Sequence, residues 1–294
     1  MTTVVRNPID IVRLRQVMAR GEGRHSVAIA VIDGPVLIDH AGMLRPPVVI
    51  GDAKAARCAV PGAACSHGTF VAGILAARRG EQAPGICPGC TLFVRPVFQD
   101  DSDGRTPNSS AEAISRAILD CVRAGAKVIN LSLAVTKPSA SGERAVHDAL
   151  QVAAGRGVIV VAAAGNQSEL ASTVITRHPW VIPVAACDAA GRLASHSNLG
   201  SSIGRNGLAA PGVGIASLGV GDRSSILDGT SASAPFVTGA VALLWSEFPR
   251  ASALDVRLAI LRASIRRVSV TPPLLDAWQS HELLRRGRFE FMGR

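Results

Sequence analysis

Four polar residues have the types that acyl-transfer chemistry requires, and each stands in or beside a glycine-containing motif. Asp33 closes the run VAIAVID, His67 opens HGTFVAG, Asn166 ends VIVVAAAGN, and Ser231 lies in DGTSASAP. Taken singly each is ordinary, since Asp and Asn are common in turns and Ser and Thr favour the first positions of helices. Taken together they could supply every group that nucleophilic catalysis by a hydroxyl needs.

The chemistry these groups would perform is attack of a hydroxyl on a carbonyl carbon. A serine hydroxyl such as that of Ser231 is a weak nucleophile at neutral pH and needs an adjacent base, which His67 would provide. A buried carboxylate, here Asp33, would fix the imidazole tautomer and stabilise the imidazolium. Because Ser231 stands at the start of a predicted helix, backbone N–H groups and the positive end of the helix dipole would face a developing oxyanion. The side-chain amide of Asn166 would add a second donor.

A second carboxylate and imidazole, Asp39 and His40, lie close to Asp33 in the sequence. A histidine that follows an aspartate in the chain is not thereby its partner, and these two residues come after the strand end rather than at it. Gly34 and Pro35 would turn the chain sharply and help to hold the Asp33 carboxylate inward. We therefore interpret Asp39 and His40 as loop residues, with a contact to substrate as the alternative.

Strands and helices alternate along the chain in an order that would gather the chemistry-bearing residues at one edge of a sheet. Apolar runs predict strands at 26–32, 91–98, 126–133, 157–166 and 178–188, and helical spacing predicts helices at 9–19, 67–79, 111–124, 143–156 and from 229 onward. Continuous apolar strands separated by helices predict a parallel sheet covered on both faces. Functional groups in such sheets gather at the carboxyl ends of the strands, where Asp33 and Asn166 are predicted to lie.

The chain shows no break rich in Pro, Gly and Ser and no internal repeat, so we predict a single domain over residues 1–294. Within it we expect an N-terminal extension with a short helix at 1–25, a catalytic core at 26–250 and a C-terminal helical segment at 251–294. Hydrophobic residues make up 48% of the 294 residues, which is enough for one large core.

Composition argues against two classes of partner. The apolar run VIVVAAAG is far shorter than the roughly 20 residues of a membrane span, and the N-terminus lacks the apolar core of a signal peptide. We therefore expect a cytoplasmic protein that does not contact membranes. The net charge is +9, nearly all of it from arginine, but aromatic residues make up only 3% and no stacking motif accompanies the arginines. We therefore expect no nucleic-acid partner.

Six cysteines, at 58, 65, 87, 90, 121 and 187, leave several chemistries open. Cys121 and Cys187 lie in apolar helix and strand patterns and are predicted to be small core residues. The motif CPGC at 87–90 has the two-residue spacing of a metal site, and Cys58 and Cys65 could complete four thiolates, although their separation is wide for zinc. Local disulfides, free thiols and a metal site stay as alternatives.

The order of these motifs resembles that of the subtilisin-like serine proteases, the subtilases. VIDG, HGTFVAG, VVAAAGN and GTSASAP match in the same order, and the resemblance runs from about residue 26 to residue 249. It implies a subtilisin-like three-layer α/β fold with a mainly parallel central sheet of about seven strands flanked by helices. It also implies that Asp33 orients His67, that His67 is the general base, that Ser231 is the nucleophile, and that Asn166 and Ser231 form the oxyanion hole.

The resemblance further implies which segments hold a peptide substrate. The implied positions are Ser132, Leu133, Ala134, Ala163, Ala164, Gly165, Asp103 and Gly104. Ala134 and Val135 stand where subtilisins often carry two glycines, so we expect the primary specificity pocket to be narrowed or reshaped. The loop QDDSDGRTP precedes a helix where subtilases bind the extended substrate backbone, and its aspartates would attract basic substrate residues. An ordinary solvated loop is the alternative.

Finer features resemble one branch of the family. DGPV after the first strand, APGICPGC before TLFVRPVF, and AGAKVINLSL are similar to the N-terminal proteases that cut leader sequences from cyanobactin-type precursor peptides. Related macrocyclising proteases carry an inserted helical lid between the Asp and the His. The stretch between Asp33 and His67 is too short for one, so we expect hydrolysis rather than transpeptidation, because a lid would protect the acyl-enzyme from water.

The leading hypothesis is a monomeric serine endopeptidase that acts on a peptide or protein substrate, and more narrowly on a ribosomally made precursor peptide. We expect no cofactor and no metal in its site. We also expect no tight calcium binding, because the helix that carries His67 lacks the short insertion that builds the strong calcium site of bacterial subtilisins. A general intracellular degradative subtilase is the alternative among enzymes. A non-catalytic peptide-binding module on the same fold is the alternative from another class, although it would need neither Ser231 nor His67.

Overall fold

Parallel strands form the centre of the chain. The computed structural model describes residues 7–51, 58, 62–80, 83–98, 109–133, 139–221, 223–264 and 269–287. The strands of the main sheet are β1 (Ala28–Asp33), β2 (Val48–Val49), β3 (Thr91–Pro96), β4 (Val128–Leu131), β5 (Ile159–Ala163), β6 (Ile182–Cys187) and β7 (Leu208–Pro211). They lie in the order β2-β3-β1-β4-β5-β6-β7, every neighbouring pair is parallel, and a separate antiparallel hairpin contains β8 (Ile215–Leu218) and β9 (Ser224–Leu227).

Helices cover both faces of this sheet. Over the described ranges they are α1 (Pro8–Ile11), α2 (Leu14–Met18), α3 (Ala63–Ala76), α4 (Ala111–Arg123), α5 (Ala140–Gly155), α6 (Val174–Arg177), α7 (Ser201–Asn206), α8 (Thr230–Glu247), α9 (Ala253–Arg262) and α10 (Ala277–Arg285). The predicted α/β fold with a parallel sheet of about seven strands is confirmed. Of the helices that are described, none combines the length and the apolar character that crossing a membrane requires.

Several boundaries differ from the sequence prediction for local physical reasons. The predicted helix at 9–19 is split into α1 and α2, because Arg13 adopts a left-handed conformation with φ 53°. The helix predicted to open at His67 begins one turn earlier, since Ser66 already donates its backbone N–H to the Gly62 carbonyl. The short strand β2, the strand β7 and the hairpin β8–β9 are additional to the predicted strands, and each strand spans only two to four residues.

Two apolar layers enclose the sheet, and α8 is the centre of the larger one. Successive residues of β1 alternate between them: Ile29 and Val31 belong to the cluster with α3 and α8, whereas Ala30 and Ile32 belong to the cluster with α4 and α5. Nearly every residue of α8 is buried, as expected for a helix that is apolar all round. The start of α8 is thereby held firmly against the carboxyl ends of the central strands.

The cysteines separate into one disulfide and four thiols. Cys58 and Cys65 are disulfide-bonded, with Cα atoms 5.5 Å apart, so they do not join the CPGC cysteines in a four-thiolate site. Cys87 and Cys90 are buried thiols, and the hydrogen bond between them raises the pKa of Cys87 and lowers that of Cys90. Cys121 and Cys187 are buried in the core, as predicted. No group of three or more His, Cys, Asp or Glu side chains could hold a metal ion within the described ranges.

Arg79 fastens the N-terminal helices to the segment that follows α3. Its guanidinium donates to the carbonyl oxygens of Met18 at 2.6 Å, Gly21 at 2.7 Å and Ile86 at 2.9 Å. A further bond of 3.3 Å reaches the carbonyl oxygen of Gly85. A planar guanidinium can serve several carbonyls at once, which an ammonium cannot do in the same geometry.

We expect replacement of Arg79 by methionine to destabilise the fold by about 3 kcal/mol, since several partly buried carbonyls would lose a charged donor together. Arg79→Lys should lie between this variant and the wild type. Arg78→Met is the matched control, because the neighbouring guanidinium is exposed and makes one long bond of 3.4 Å to the Ala41 carbonyl. Urea denaturation measures all three, and equal stability of Arg79→Met and Arg78→Met would contradict the assignment.

Candidate active site

Asp33 is the last residue of β1, and its side chain is fully buried. The backbone N–H of Gly34 donates to Oδ1 at 2.6 Å, which turns the carboxylate back toward the strand end. Its second oxygen, Oδ2, is also buried and has no hydrogen-bond partner among the described residues. The carboxylate therefore has one oxygen that is strongly bound and one that is not, in a place that water reaches poorly.

His67 lies in the second turn of α3 and meets Asp33 directly. Its Nδ1 is 2.7 Å from Asp33 Oδ1, and 28% of the imidazole side chain is exposed whereas none of the Asp33 side chain is. The ring thus has one nitrogen held by a buried carboxylate and an edge that reaches solvent. This arrangement is expected of a general base whose Nδ1 is oriented by a carboxylate and whose Nε2 accepts a proton.

Two glycines allow this contact. A Cβ atom on Gly34 would lie 2.3 Å from the Ala64 carbonyl oxygen, and one on Gly68 would lie 2.3 Å from the Pro35 carbonyl oxygen. The turn after β1 and the first turns of α3 therefore touch backbone to backbone. Any larger residue at either glycine would push the helix away from the strand end and lengthen the Asp33–His67 hydrogen bond.

The surroundings of His67 raise the pKa of its imidazole. Burial acts to lower the pKa of His67, but the negative charge of Asp33 and the hydrogen bond to it raise the pKa more, and the net result lies above the ordinary value. A base in this position gains stabilisation at the moment it accepts a proton. That is the property required when a hydroxyl transfers its proton to the ring.

Ser231 lies in the first turn of α8, where backbone N–H groups lack the carbonyl acceptor four residues earlier that the rest of a helix provides. Its hydroxyl donates to the Ser132 carbonyl oxygen at 3.3 Å, and the Ser132 hydroxyl donates to the Ser231 carbonyl oxygen at 3.1 Å. The hydroxyl is therefore not hydrogen-bonded to His67 in this structure. Since a serine Oγ has three staggered positions, rotation about one bond changes its partner without moving the backbone.

A buried polar chain supports the Ser132 end of this contact. The Asn130 side chain donates from Nδ2 to Ser132 Oγ at 2.8 Å, and Thr238 Oγ1 donates to Asn130 Oδ1 at 2.8 Å. These hydrogen bonds link β4 to the middle of α8 and hold the Ser132 hydroxyl in place. Sequence reasoning did not single out Asn130 or Thr238, although a polar residue inside an apolar strand or helix was a usable signal.

Asn166 follows β5, and its amide is oriented by the residue before Ser231. Asn166 Oδ1 accepts from the Thr230 backbone N–H at 2.9 Å and from Thr230 Oγ1 at 3.0 Å. The Thr230 hydroxyl in turn accepts from the Gly165 backbone N–H at 3.1 Å. Because both hydrogen bonds from Thr230 go to Oδ1, the Nδ2 group lies on the other side of the amide, and no described residue accepts from it. A Cβ on Gly229 would be 2.9 Å from Nδ2, which places this donor beside the start of α8.

The remaining predicted residues separate into two groups. Ser132 and Leu133 follow the end of β4, and Ala163, Ala164 and Gly165 form the end of β5 and the turn into Asn166. These segments lie side by side because β4 and β5 are neighbours in the sheet. The other three predicted positions, Ala134, Asp103 and Gly104, lie outside the described residues.

His40 is part of a different contact. Its Nδ1 accepts from the Gly42 backbone N–H at 2.9 Å, and its Nε2 is 3.0 Å from the Gly219 carbonyl oxygen. These bonds fix the tautomer with the proton on Nε2 and fasten the loop after β1 to the β8–β9 hairpin. Both ring nitrogens therefore bond to backbone groups, in agreement with the interpretation of His40 as a loop residue.

Comparisons with known proteins identify the family of this chain. The family model described as the subtilase family, peptidase S8, matches residues 25–285. Subtilisin DY of Bacillus licheniformis is 31% identical over 254 residues, which is 85% of this chain and 87% of that protein. A variant of the protease domain of PatA superposes with a TM-score of 0.80 at 30% identity, covering 92% of this chain and 98% of that one. The prenylagaramide maturation protease PagA gives 0.79 at 26% identity, with the same coverage.

We expect NMR titration of the His67 ring to give a pKa above about 6.5, the ordinary value of histidine. In Asp33→Asn the pKa should fall, because the neutral amide no longer stabilises the imidazolium while the burial remains. An unchanged His67 pKa in Asp33→Asn would contradict the electrostatic account.

Proposed function

The chain belongs to the subtilase family of serine endopeptidases, and we propose that it cleaves peptide bonds with Ser231 as nucleophile, His67 as general base and Asp33 as the orienting carboxylate. The observation that carries this assignment is the 2.7 Å contact between His67 Nδ1 and the buried Asp33 carboxylate. A non-catalytic binding module would have no need of an imidazole oriented in this way. The amide of Asn166 and the backbone N–H of Ser231 are proposed as the oxyanion hole.

The proposed reaction has two halves that use the same groups. In the first, Ser231 Oγ attacks the scissile carbonyl carbon while His67 Nε2 takes its proton, and the ring then returns that proton to the departing amine. In the second, His67 Nε2 takes a proton from a water molecule as the water oxygen attacks the acyl carbon. The ring then returns that proton to Ser231 Oγ as the bond between the acyl carbon and Oγ breaks and the acid product leaves. The rotation of Ser231 Oγ from Ser132 toward His67 precedes the first half.

The negative charge that develops on the substrate oxygen would be met by preorganised donors. Asn166 Nδ2 is held outward because two donors from Thr230 occupy its Oδ1. The N-terminal turn of α8 adds the Ser231 backbone N–H and the positive end of the helix dipole. Such donors cost little reorganisation as the charge appears, and this is why they lower the barrier.

We further propose that the substrate is a ribosomally made precursor peptide from which a leader is removed. Two observations support this narrower reading. The first is the similarity of 26–30% in sequence, over 92% of the chain, to PatA and PagA, the latter named as a maturation protease. The second is the Gly34-Pro35 turn after Asp33, which resembles that branch of the family. General degradation is the alternative favoured by the similarity to subtilisin DY.

A fluorophosphonate probe should label Ser231 in the wild-type protein and should not label Ser231→Ala. The variant should lose peptidase activity by more than 10³-fold and keep its melting temperature within a few degrees, since only the nucleophile is removed. Ser246→Ala, a substitution at the far end of the same helix, is the matched control and should be labelled like the wild type. Activity of Ser231→Ala within tenfold of wild type would refute the nucleophile assignment.

The narrower proposal predicts a large preference for one bond in one kind of peptide. Mass spectrometry after incubation with short precursor peptides should show a single cleavage site, with a kcat/KM at least a hundredfold above that for any bond in casein. Ser231→Ala, incubated in parallel, identifies cleavage by contaminants. Broad digestion of casein at many sites would contradict leader removal and would leave the serine endopeptidase assignment in place.

A further inference from the structure

The segment that carries Asn166 is held by a side chain from a distant part of the chain, Asn198. This asparagine is buried, with 5% of its surface exposed. Its Oδ1 accepts from the backbone N–H groups of Gln167 at 2.9 Å and Glu169 at 3.1 Å. Its own backbone N–H donates to the Gly165 carbonyl oxygen at 2.9 Å. The segment is therefore bound by Asn198 both before and after Asn166.

Gln167 extends this contact to Asn166 itself. Asn198 Nδ2 donates to Gln167 Oε1 at 2.7 Å, and the same oxygen accepts the Asn166 backbone N–H at 3.1 Å. One glutamine oxygen thus joins the buried asparagine to the main chain of Asn166. We call the side chains of Asn198 and Gln167, with these hydrogen bonds, the clasp.

The clasp has a fixed support on the neighbouring strand. Just before Asn198, the Ser197 hydroxyl accepts the Ala186 backbone N–H at 3.1 Å, and the Ala194 backbone N–H donates to the Ala186 carbonyl oxygen at 2.9 Å. Ala186 belongs to β6, the strand next to β5. The turn that leaves β5 is therefore tied to the strand beside it.

The clasp lies so close to the turn after β5 that position 165 requires glycine. Gly165 has φ 108°, a region that L-residues rarely adopt, and a Cβ there would lie 2.4 Å from Asn198 Nδ2. Thr230 fixes which way the Asn166 amide faces, but it bonds only to the oxygen of that amide and to the Gly165 N–H. The backbone of Asn166 receives its restraint from Gln167, and hence from Asn198.

We propose that Asn198, acting through Gln167, is a positioning residue that keeps the Asn166 amide at the distance where it stabilises the transition state. The proposal rests on the proposed function, in which Asn166 is an oxyanion donor. A donor displaced by a few tenths of an ångström binds the substrate carbonyl almost as well but stabilises the oxyanion less. Loss of the clasp should therefore lower kcat and leave KM nearly unchanged.

A double-mutant cycle tests the dependence on Asn166. The assay uses an internally quenched peptide, chosen as the fastest-cleaved member of a library by the wild-type enzyme. Asn166→Ala should lower kcat by about 10²–10³-fold, the loss that removal of one oxyanion-hole donor causes in subtilisin. Asn198→Ala should lower kcat by about tenfold with KM within twofold. In the Asn166→Ala background, the same Asn198→Ala change should cost less than twofold, because the group it positions is gone.

Two substitutions of the exposed Gln167 keep the test independent of folding. Gln167→Met keeps the length of the side chain and removes the acceptor oxygen, so it should lower kcat about fivefold. Gln167→Glu keeps an acceptor for both donors and should return kcat to a value above that of the methionine variant. Ser246→Ala, which removes a buried hydroxyl far from Asn166, is the control and should leave kcat and KM as in the wild type.

The possible failures are distinguishable. If Asn166→Ala alone keeps the wild-type kcat, the oxyanion role is wrong, and the clasp proposal falls with it. If Asn166→Ala is impaired but Asn198→Ala costs the same factor in both backgrounds, Asn198 does not act through Asn166. A change in KM alone, or equal kcat for Gln167→Met and Gln167→Glu, would likewise overturn the proposal. If Asn198→Ala fails to fold, the two Gln167 variants decide the question.

Discussion

The contact between two backbones, at Gly34 after β1 and at Gly68 in α3, determines where the chemistry of this protein can occur. Each glycine lies where a Cβ would approach a carbonyl oxygen to 2.3 Å, so the strand end and the helix meet with no side chain between them. The Asp33–His67 hydrogen bond of 2.7 Å follows from that closeness. Side chains between the two backbones would move the helix away from the strand end and separate the imidazole from the carboxylate.

The same turn also determines how the Asp33 carboxylate is solvated. Gly34 brings no hydroxyl and Pro35 brings no N–H, so Oδ1 is bound by the Gly34 N–H and His67 while Oδ2 has no partner among the described residues. Because few hydrogen-bond donors stabilise the negative charge of the carboxylate, that charge acts mainly on the His67 ring. This is consistent with a His67 pKa that lies above the ordinary value despite burial of the ring.

Around the start of α8, by contrast, the side-chain oxygens beside Ser231 are held by hydrogen bonds. The Asn166 oxygen is bound by Thr230, and Ser132 is held by Asn130. A network satisfied in this way allows few alternative arrangements, and it fixes the donors while leaving the Ser231 hydroxyl able to rotate. This combination of fixed donors and a rotatable hydroxyl suits acyl transfer, because the oxyanion donors must be in place before the reaction and the nucleophile must move during it.

Much of the site could be read from local sequence, because its key residues follow apolar strands or begin helices, and these patterns depend on near neighbours. The strands β1, β3, β4, β5 and β6 and the positions of Asp33 and Asn166 at strand ends were predicted in this way. The division of the chain into a single domain and the roles of the site residues stay predictions. Tertiary structure alone decided that Ser231 contacts Ser132, that Thr230 orients Asn166 and that Asn198 holds the turn at Gly165. Those hydrogen bonds join residues about 30 to 100 positions apart, and no periodicity within one segment records which distant segment will lie beside it.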